Sequence, residues 1–463
     1  MHGPLILSEL LEREGHQVRF FLEEKGWLSR LAAWAPDVVA LSASTGNHIR
    51  LLRAAERIKA NLNPAPVTVM GGPHPTFFPD VVRHPALDAI CRGEGDLAFP
   101  LFLSGIEDGR PPEDTPNFWV RKDDRIIRNE MGPLVRHLDR LPFSRRRIYD
   151  ASRALRTAPA KTVFTGRGCP NNCIFCFNHA YRSLVKGKGP FLRRRSVSHV
   201  MEEILYLDKN FGFRSLEFYD DIFTLDRQWV FEFADEYGRL VKKPYTIITA
   251  ADRMDEELAE ALHASGCAWV AFGIESGNEE LRKKILKKPV ANEDIRRCAG
   301  LLRKKGIRYY TFNILAMPEE KRENALETLH LNQEIRSHHA FCSIAQPYPG
   351  TRLAELAVEM GLATREELER DSESMTSFLG KSIFRNGNDP FTVNLQKFFP
   401  LLVKAPALEP LILPLLKLPP NQLFLLVHQA IHGLHVKARQ NEGWFRAAAR
   451  YLRNRNVYYG KST

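Results

Sequence analysis

Three cysteines fall within eight residues, in the segment Thr165-Gly-Arg-Gly-Cys169-Pro-Asn-Asn-Cys173-Ile-Phe-Cys176. Thiolates spaced CxxxCxxC on one loop can wrap a single compact metal site, and thiolates are the usual ligands of iron–sulfur clusters. A [4Fe–4S] cluster held by Cys169, Cys173 and Cys176 alone keeps one iron open. An open iron on a redox cluster can bind a small molecule and pass it an electron. The competing reading is a closed structural zinc site, which needs a fourth ligand. His179, three residues on, is the available one.

The scaffold that aims this loop is read from the pattern around it. From about residue 160, short apolar runs alternate with amphipathic segments. Thr162–Thr165, Ser215–Tyr219, Tyr245–Thr249, Trp269–Gly273, Tyr309–Leu315 and Ala340–Ala345 read as buried parallel strands. Val197–Asn210, Arg227–Leu240, Glu256–Ser265, Asn292–Lys305 and Glu323–Ser337 read as the helices between them. Six βα units predict a partial or full TIM-like barrel over residues 158–372. Such barrels carry their chemistry at the carboxyl ends of the strands, where the cysteine loop falls.

Upstream, residues 1–125 show a shorter βαβ rhythm. Ile6–Glu14 reads as a helix and Gln17–Phe21 as a strand. Asp37–Ser42, Val67–Met70 and Ala89–Cys91 read as further strands, and His48–Ala60 as a helix. This predicts a doubly wound, Rossmann-like parallel sheet, whose ligands sit in loops beyond the strands' carboxyl ends. Residues 117–130 read as a hairpin, 126–157 as an Arg- and Pro-rich linker, and 373–463 as a mainly helical C-terminal region. The fold class is therefore α/β throughout its first two domains.

Bulk composition narrows the setting. The chain has 463 residues and a net charge of +11, with 44% hydrophobic and 26% charged residues, an ordinary globular balance. Basic residues are spread along the chain, so no nucleic-acid partner is favoured; an anionic substrate or lipid explains the charge equally well. Seven cysteines, three of them clustered, fit a reducing compartment and a metal role better than a disulfide framework. No apolar run reaches the ~18–20 residues of a membrane-spanning helix, and no signal peptide is evident. The expected location is cytoplasmic.

CxxxCxxC with an aromatic residue, Phe175, before the last cysteine resembles the signature of the radical S-adenosylmethionine (SAM) superfamily. The resemblance implies that SAM chelates the open iron. Its reductive cleavage, driven by an external flavodoxin- or ferredoxin-type donor, then yields a radical that takes hydrogen from substrate. It continues downstream. Glu217-Phe-Tyr-Asp220-Asp221 resembles the family's second-strand end, Thr249-Ala-Ala-Asp-Arg253 the third, and Phe272-Gly-Ile-Glu275-Ser276-Gly277 the fourth. Asn313-Ile-Leu-Ala-Met317-Pro-Glu319 resembles the fifth, with Ala316 where the family more often has Gly. By resemblance, Phe175 and Met317 lie near the adenine. Asp220 and Asp221 lie near the methionine amino group, Arg253 meets its carboxylate, and Glu275 or Ser276 reaches the ribose or methionine part.

Val69-Met-Gly71-Gly72-Pro73-His74-Pro-Thr76, followed by Arg92-Gly93-Glu94-Gly95, is similar to the cobalamin-binding domain fused to one branch of that superfamily. The resemblance places a cobalamin tail near Ser42, Ser44 and Thr45, with Gly71, Gly72, Pro73, His74, Thr76, Gly93 and Glu94 around the cofactor. Glycines after a strand would let the cofactor approach the backbone. There is no Asp-x-His-x-x-Gly motif, so no histidine is set up as a lower cobalt ligand. His74 reads as a turn histidine bonded locally rather than as a ligand. The chain opens on a helix at Met1-His2-Gly3-Pro4, so the domain is expected to start part-way or to lack its first strand.

The function this implies is a cobalamin-dependent C-methyltransferase acting on an unactivated carbon of a small-molecule or lipid-like metabolite. The alternatives are a cobalamin-branch oxidase or cyclase of tetrapyrrole or lipid biosynthesis, an iron–sulfur RNA-modifying protein, and a zinc-stabilised non-catalytic protein. The Pro-broken apolar stretch Phe398–Val427 reads as a cap on the barrel or as an apolar surface. A basic amphipathic helix at Trp444–Arg455 would add a peripheral membrane contact.

Overall fold

The computed structural model describes residues 2–109, 112–123, 125–371 and 382–440. The chain divides into two compact units. One comprises Met1–Ala158 with Ala180–Phe211, the other Pro159–His179 with Gly212–Thr463.

The first unit is built on five strands in the order β1 (Val38–Ser42), β2 (Val67–Gly71), β3 (Ala89–Cys91), β4 (Phe118–Lys122) and β5 (Arg125–Arg128). The first three are parallel. The expected hairpin, β4 and β5, extends the same sheet antiparallel from β3. Helices α1 (His2–Arg13), α2 (Trp27–Trp34), α3 (His48–Asn61) and α4 (Ala98–Glu107) surround it. Leu11, Val69, Ala89, Phe99, Phe102 and Phe118 form one buried cluster, and Ala43, Ala55, Met70, Leu87 and Ile90 another. Two apolar clusters on one three-strand core are what a parallel sheet covered on both faces requires.

Residues 17–21 do not form the expected strand. Their Val-Arg-Phe alternation carries the right period, but β1 ends the sheet and pairs only with β2, so no ladder reaches them. The chain uses the next stretch for α2, which packs Trp27 and Leu31 against Ala54 and Ile58 of α3. Residues 126–157 belong to this unit. Ile148, Tyr149 and Leu155 pack with Leu5 and Phe211, and the buried Arg146 meets Glu203 at 2.8 Å.

The second unit is a six-stranded, all-parallel sheet. Its strands lie in sequence order: β6 (Ala160–Val163), β7 (Ser215–Phe218), β8 (Tyr245–Thr249), β9 (Cys267–Glu275), β10 (Arg308–Leu315) and β11 (His339–Ile344). Among the described residues β6 and β11 do not pair, so the barrel is partial rather than closed. The helices between strands start where short polar side chains cap them. Asp226 accepts from Trp229 N at 3.1 Å, and Asp255 accepts from Leu258 N at 2.9 Å.

Beyond the barrel, α5 (Pro390–Lys404) lays Phe391, Leu395, Phe398, Phe399 and Leu402 on Leu315, Ala340 and Cys342 of the last two strands. The start of the Pro-broken region thus packs on the last two strands of the barrel. Its outer side and α6 (Gln422–Gln440) leave Leu411, Leu415, Leu418, Leu423, Leu426 and Leu434 exposed. No described helix is long and apolar enough to cross a membrane. The basic helix expected at Trp444–Arg455 lies outside the described residues.

Candidate functional site

The cysteine loop leaves β6 and is stitched into the second unit by its own backbone. Ile174 N donates to Leu286 O at 3.2 Å, and Leu353 N donates to Ile174 O at 3.0 Å. Cys173 is buried, and Cys169 and Cys176 are partly buried. Burial raises all three thiols, Cys173 up to about 12, with Lys288 the opposing charge beside Cys173. Thiols held this way ionise only when a cation compensates them, which is the chemistry of a metal-ligand set.

Among the described residues no three His, Cys, Asp or Glu side chains converge tightly enough to hold one metal ion. A zinc ion needs its donors about 2.0–2.3 Å from one centre. A cubane takes each thiolate on a different iron, and three buried or partly buried thiols on one loop fit that donor set. The Nε2 of His179, the zinc candidate, instead accepts from Arg352 N at 3.1 Å.

Around the loop, the strand ends bring together several of the expected groups. Asp220, at the end of β7, is buried and accepts from Thr165 N at 2.9 Å and Thr165 Oγ1 at 2.8 Å. It ties two neighbouring strand ends together. Asp221 accepts from Asn178 Nδ2 at 2.9 Å, and Asn178 also directs its backbone N–H at Cys176 Sγ, 3.5 Å away. Phe175 and Met317 pack in one apolar cluster with Ile174, Ile314 and Leu353. Arg253, after β8, is exposed, with Asp252 its nearest carboxylate at 3.9 Å.

The end of β9 departs from expectation. Glu275 is buried at a positive φ of 65° and pairs with the equally buried Lys288 at 2.8 Å. Its carboxylate is committed to that pair. Ser276 is fully buried, and its Oγ has no hydrogen-bond partner among the described residues. An orphaned buried hydroxyl costs free energy unless a ligand satisfies it. Ala316, where the resembled family more often has Gly, takes a left-handed φ of 63° and delivers Met317 into its cluster.

Two residues escaped the sequence reading. Lys288 lies just beyond the short helix Glu279–Lys284 that follows β9, and has no motif around it. Glu320 accepts from Met317 N at 3.3 Å, and burial pushes its carboxyl up to about 8. Its Oε1 has no partner among the described residues. The doublet Glu319-Glu320 was visible, but nothing local said which carboxylate turns inward.

In the first unit, the loops after β1 and β2 interlock. Ala43 N donates to Gly71 O at 2.8 Å, and His74 N donates to Ala43 O at 2.9 Å. Gly72 has φ 100°, and a Cβ there would lie 2.7 Å from Ala43 O; at Gly93 it would lie 2.5 Å from Met131 Cε. A side chain at either glycine would press on the neighbouring chain. Pro73 opens the short helical turn that carries His74. Thr76 Oγ1 donates to Gly72 O at 2.8 Å and accepts from Gly93 N at 2.9 Å. Glu94 is gripped by Arg193 at 2.6 and 2.8 Å in a bidentate fork. Ser42 and Ser44 are exposed at the strand edge. Thr45 shares a 3.2 Å hydrogen bond with Nδ1 of His74. Burial and the neighbouring His48 lower His74 to about 3, so its ring is neutral.

The family comparisons follow this division. The radical SAM superfamily profile matches residues 163–331, and the B12 binding domain profile matches residues 3–103. The uncharacterized methyltransferase PH0819 of Pyrococcus horikoshii is 30% identical over 373 residues, 78% of this chain and 79% of that protein. This chain is a radical SAM enzyme with a B12-binding domain. The radical SAM enzyme is also 26% identical to the cytidylyl-2-hydroxyethylphosphonate methyltransferase of Streptomyces wedmorensis, over 76% of this chain and 72% of that one. Its fold is that of the radical SAM methyltransferase TsrM from Kitasatospora setae, solved with cobalamin and a [4Fe–4S] cluster. The TM-score is 0.66 at 19% identity, over 78% of this chain and 75% of TsrM. The cofactors of this radical SAM enzyme are a [4Fe–4S] cluster, SAM and cobalamin.

Proposed function

We propose that this radical SAM enzyme is a cobalamin-dependent C-methyltransferase acting on an unactivated carbon of a small-molecule or lipid-like substrate in the cytoplasm. An external flavodoxin- or ferredoxin-type protein supplies its electrons. The observation that carries the reading is the 30% identity to an uncharacterized methyltransferase over 78% of this chain and 79% of that protein. Seven free thiols and a thiolate-held cluster support a reducing compartment.

The cluster and SAM supply one-electron chemistry, and cobalamin supplies a methyl carrier. The chain's own residues bind and orient. Cys169, Cys173 and Cys176 hold the cluster, and Asn178 directs a backbone N–H at Cys176 Sγ. Arg253 offers an exposed guanidinium, 3.9 Å from Asp252, to the methionine carboxylate. The orphaned Oγ of Ser276 reaches the polar part of SAM, while Phe175 and Met317 provide an apolar wall for its adenine. The Oδ1 of Asp220 locks two strand ends, and the Glu275–Lys288 pair stands beside Cys173. Ser42 and Ser44 remain open at the strand edge for a cofactor tail.

The test is product stoichiometry with methyl-labelled SAM on anaerobically reconstituted, cobalamin-supplemented protein. Methyl transfer requires S-adenosylhomocysteine to appear alongside 5′-deoxyadenosine, with label in the product. Production of 5′-deoxyadenosine without S-adenosylhomocysteine would sink the methyltransferase reading and favour an oxidase or cyclase.

A further inference from the structure

The backbone of the turn that ends β9 is fully engaged. Ser276 N donates to Ile274 O at 2.9 Å, and Gly277 N donates to Thr328 Oγ1 at 2.8 Å. Ser276 O accepts from Arg282 Nη1 at 2.5 Å, and Gly277 O accepts from Asn292 Nδ2 at 3.1 Å. Of this turn's polar atoms, the Oγ of Ser276 is the one without a partner among the described residues. Arg282 is the centre of the arrangement. Its side chain is fully buried, and its guanidinium also donates to Val290 O at 2.8 Å and Asn292 Oδ1 at 2.7 Å. The carboxylate of Glu279 stands off at 3.8 Å. A buried cation met by neutral oxygens is costly, and burial lowers this one to about 10. The planar fork fixes three points of the chain at once. The same stretch reaches the cysteine loop. Leu286 O accepts from Ile174 N at 3.2 Å, and Lys288 Nζ bonds Gly273 O at 2.7 Å and Glu275 Oε1 at 2.8 Å, its charge beside Cys173. Residues 282–292 therefore hold the end of β9 and the cysteine loop in one frame.

We infer that Arg282 is a positioning residue for SAM binding, acting through Ser276 by fixing the backbone that carries its hydroxyl. This rests on the contact between Ser276 and SAM proposed above. A serine oxygen moves about one side-chain torsion, so its reach is set by its own backbone. Arg282 and Asn292 hold the carbonyls of Ser276 and Gly277, and Thr328 holds the N–H between them, which leaves that peptide little freedom to tilt. A hydroxyl held this way binds without first being ordered. Lysine at 282 would keep the charge but has no planar fork, so it could not engage Ser276, Val290 and Asn292 together.

SAM titrations of the anaerobically reconstituted full chain test this as a two-residue cycle. The readout is the change in the electron paramagnetic resonance spectrum of the reduced cluster as SAM binds. Ser276→Ala should raise the SAM concentration at half-conversion about tenfold, equivalent to ~1.4 kcal/mol. Arg282→Lys should raise it by a similar factor and leave the saturated spectrum unchanged. The double variant should titrate like Ser276→Ala alone, because Arg282 has nothing to position once the hydroxyl is gone. A merely structural arginine would instead multiply the two factors. That product, or an Arg282→Lys protein that titrates like the parent, overturns the inference and leaves the Ser276 contact standing. A Ser276→Ala protein that titrates like the parent overturns both. If Arg282→Lys does not fold, Asn292→Ala takes its place in the cycle, since it removes an acceptor from Arg282 and the donor to Gly277 O. Methyl transfer enters none of these outcomes, so the methyltransferase reading stands or falls separately on product stoichiometry.

Discussion

Lys288 Nζ lies 2.8 Å from Glu275 Oε1 and 2.7 Å from the carbonyl oxygen of Gly273, with both side chains buried against the end of β9. Removing one member of such a pair strands the other charge out of water, at a cost of about 3–5 kcal/mol. Lys288→Met should therefore cost that much in urea unfolding of the cluster-free chain. The double variant Lys288→Met with Glu275→Gln should recover most of it. A single variant as stable as the parent would show that water reaches the site.

Cys173 tests the cluster. It is the most deeply buried of the three thiols, so its ligand role is separable from exposed surface chemistry. Cys173→Ala should abolish 5′-deoxyadenosine formation and the broad absorbance near 400 nm, while the far-ultraviolet circular dichroism is retained. Continued 5′-deoxyadenosine release from that variant would remove Cys173 from the ligand set.

Ser276 separates a structural from a binding role. Its unpartnered buried hydroxyl costs stability in the ligand-free chain, by about 1–3 kcal/mol for such groups. Ser276→Ala should thus leave the free protein as stable or slightly more so. SAM affinity should fall by roughly tenfold, the worth of about 1.4 kcal/mol from one hydrogen bond. Thermal melts with and without SAM read both effects, and an unchanged ligand-induced shift would exclude contact.

Glu320 predicts a pH dependence. Burial raises its folded pKa to about 8, above the ordinary value of 4.5 that it regains on unfolding. Between those values the folded chain binds the extra proton. The stabilisation is complete below about pH 4.5 and is lost as pH rises through 8. Within the window stability should fall by up to about 1.4 kcal/mol per pH unit. Glu320→Gln mimics the protonated form, so the variant should match the parent near pH 5 and exceed it above pH 8. Parallel urea curves at both pH values would contradict this.

Much of the architecture was legible because it is written in local periods. The strands from β6 to β11 and the helices between them follow continuous apolar runs and 3.6-residue patterns, and their boundaries fall within a few residues of those expected. The misreading at residues 17–21 has a different origin. Alternation there is real, yet a strand exists only if a neighbour pairs with it, and pairing is not a property of the segment.

The sequence by itself determined the candidate cluster thiols, because one short loop carries Cys169, Cys173 and Cys176 whatever the rest of the chain does. It also determined the βα order that sets the loop at a strand's carboxyl end. Tertiary structure alone decided which polar groups near those loops are already spent. Glu94 is claimed by Arg193 from 99 residues away, Glu275 by Lys288, and Thr45 by His74 across two loops. Each partner was chosen by burial, which leaves a polar group no alternative to the neighbour that packing supplies. No spacing in the chain encodes that choice, and it is what leaves the Oγ of Ser276 and the Oε1 of Glu320 without partners among the described residues.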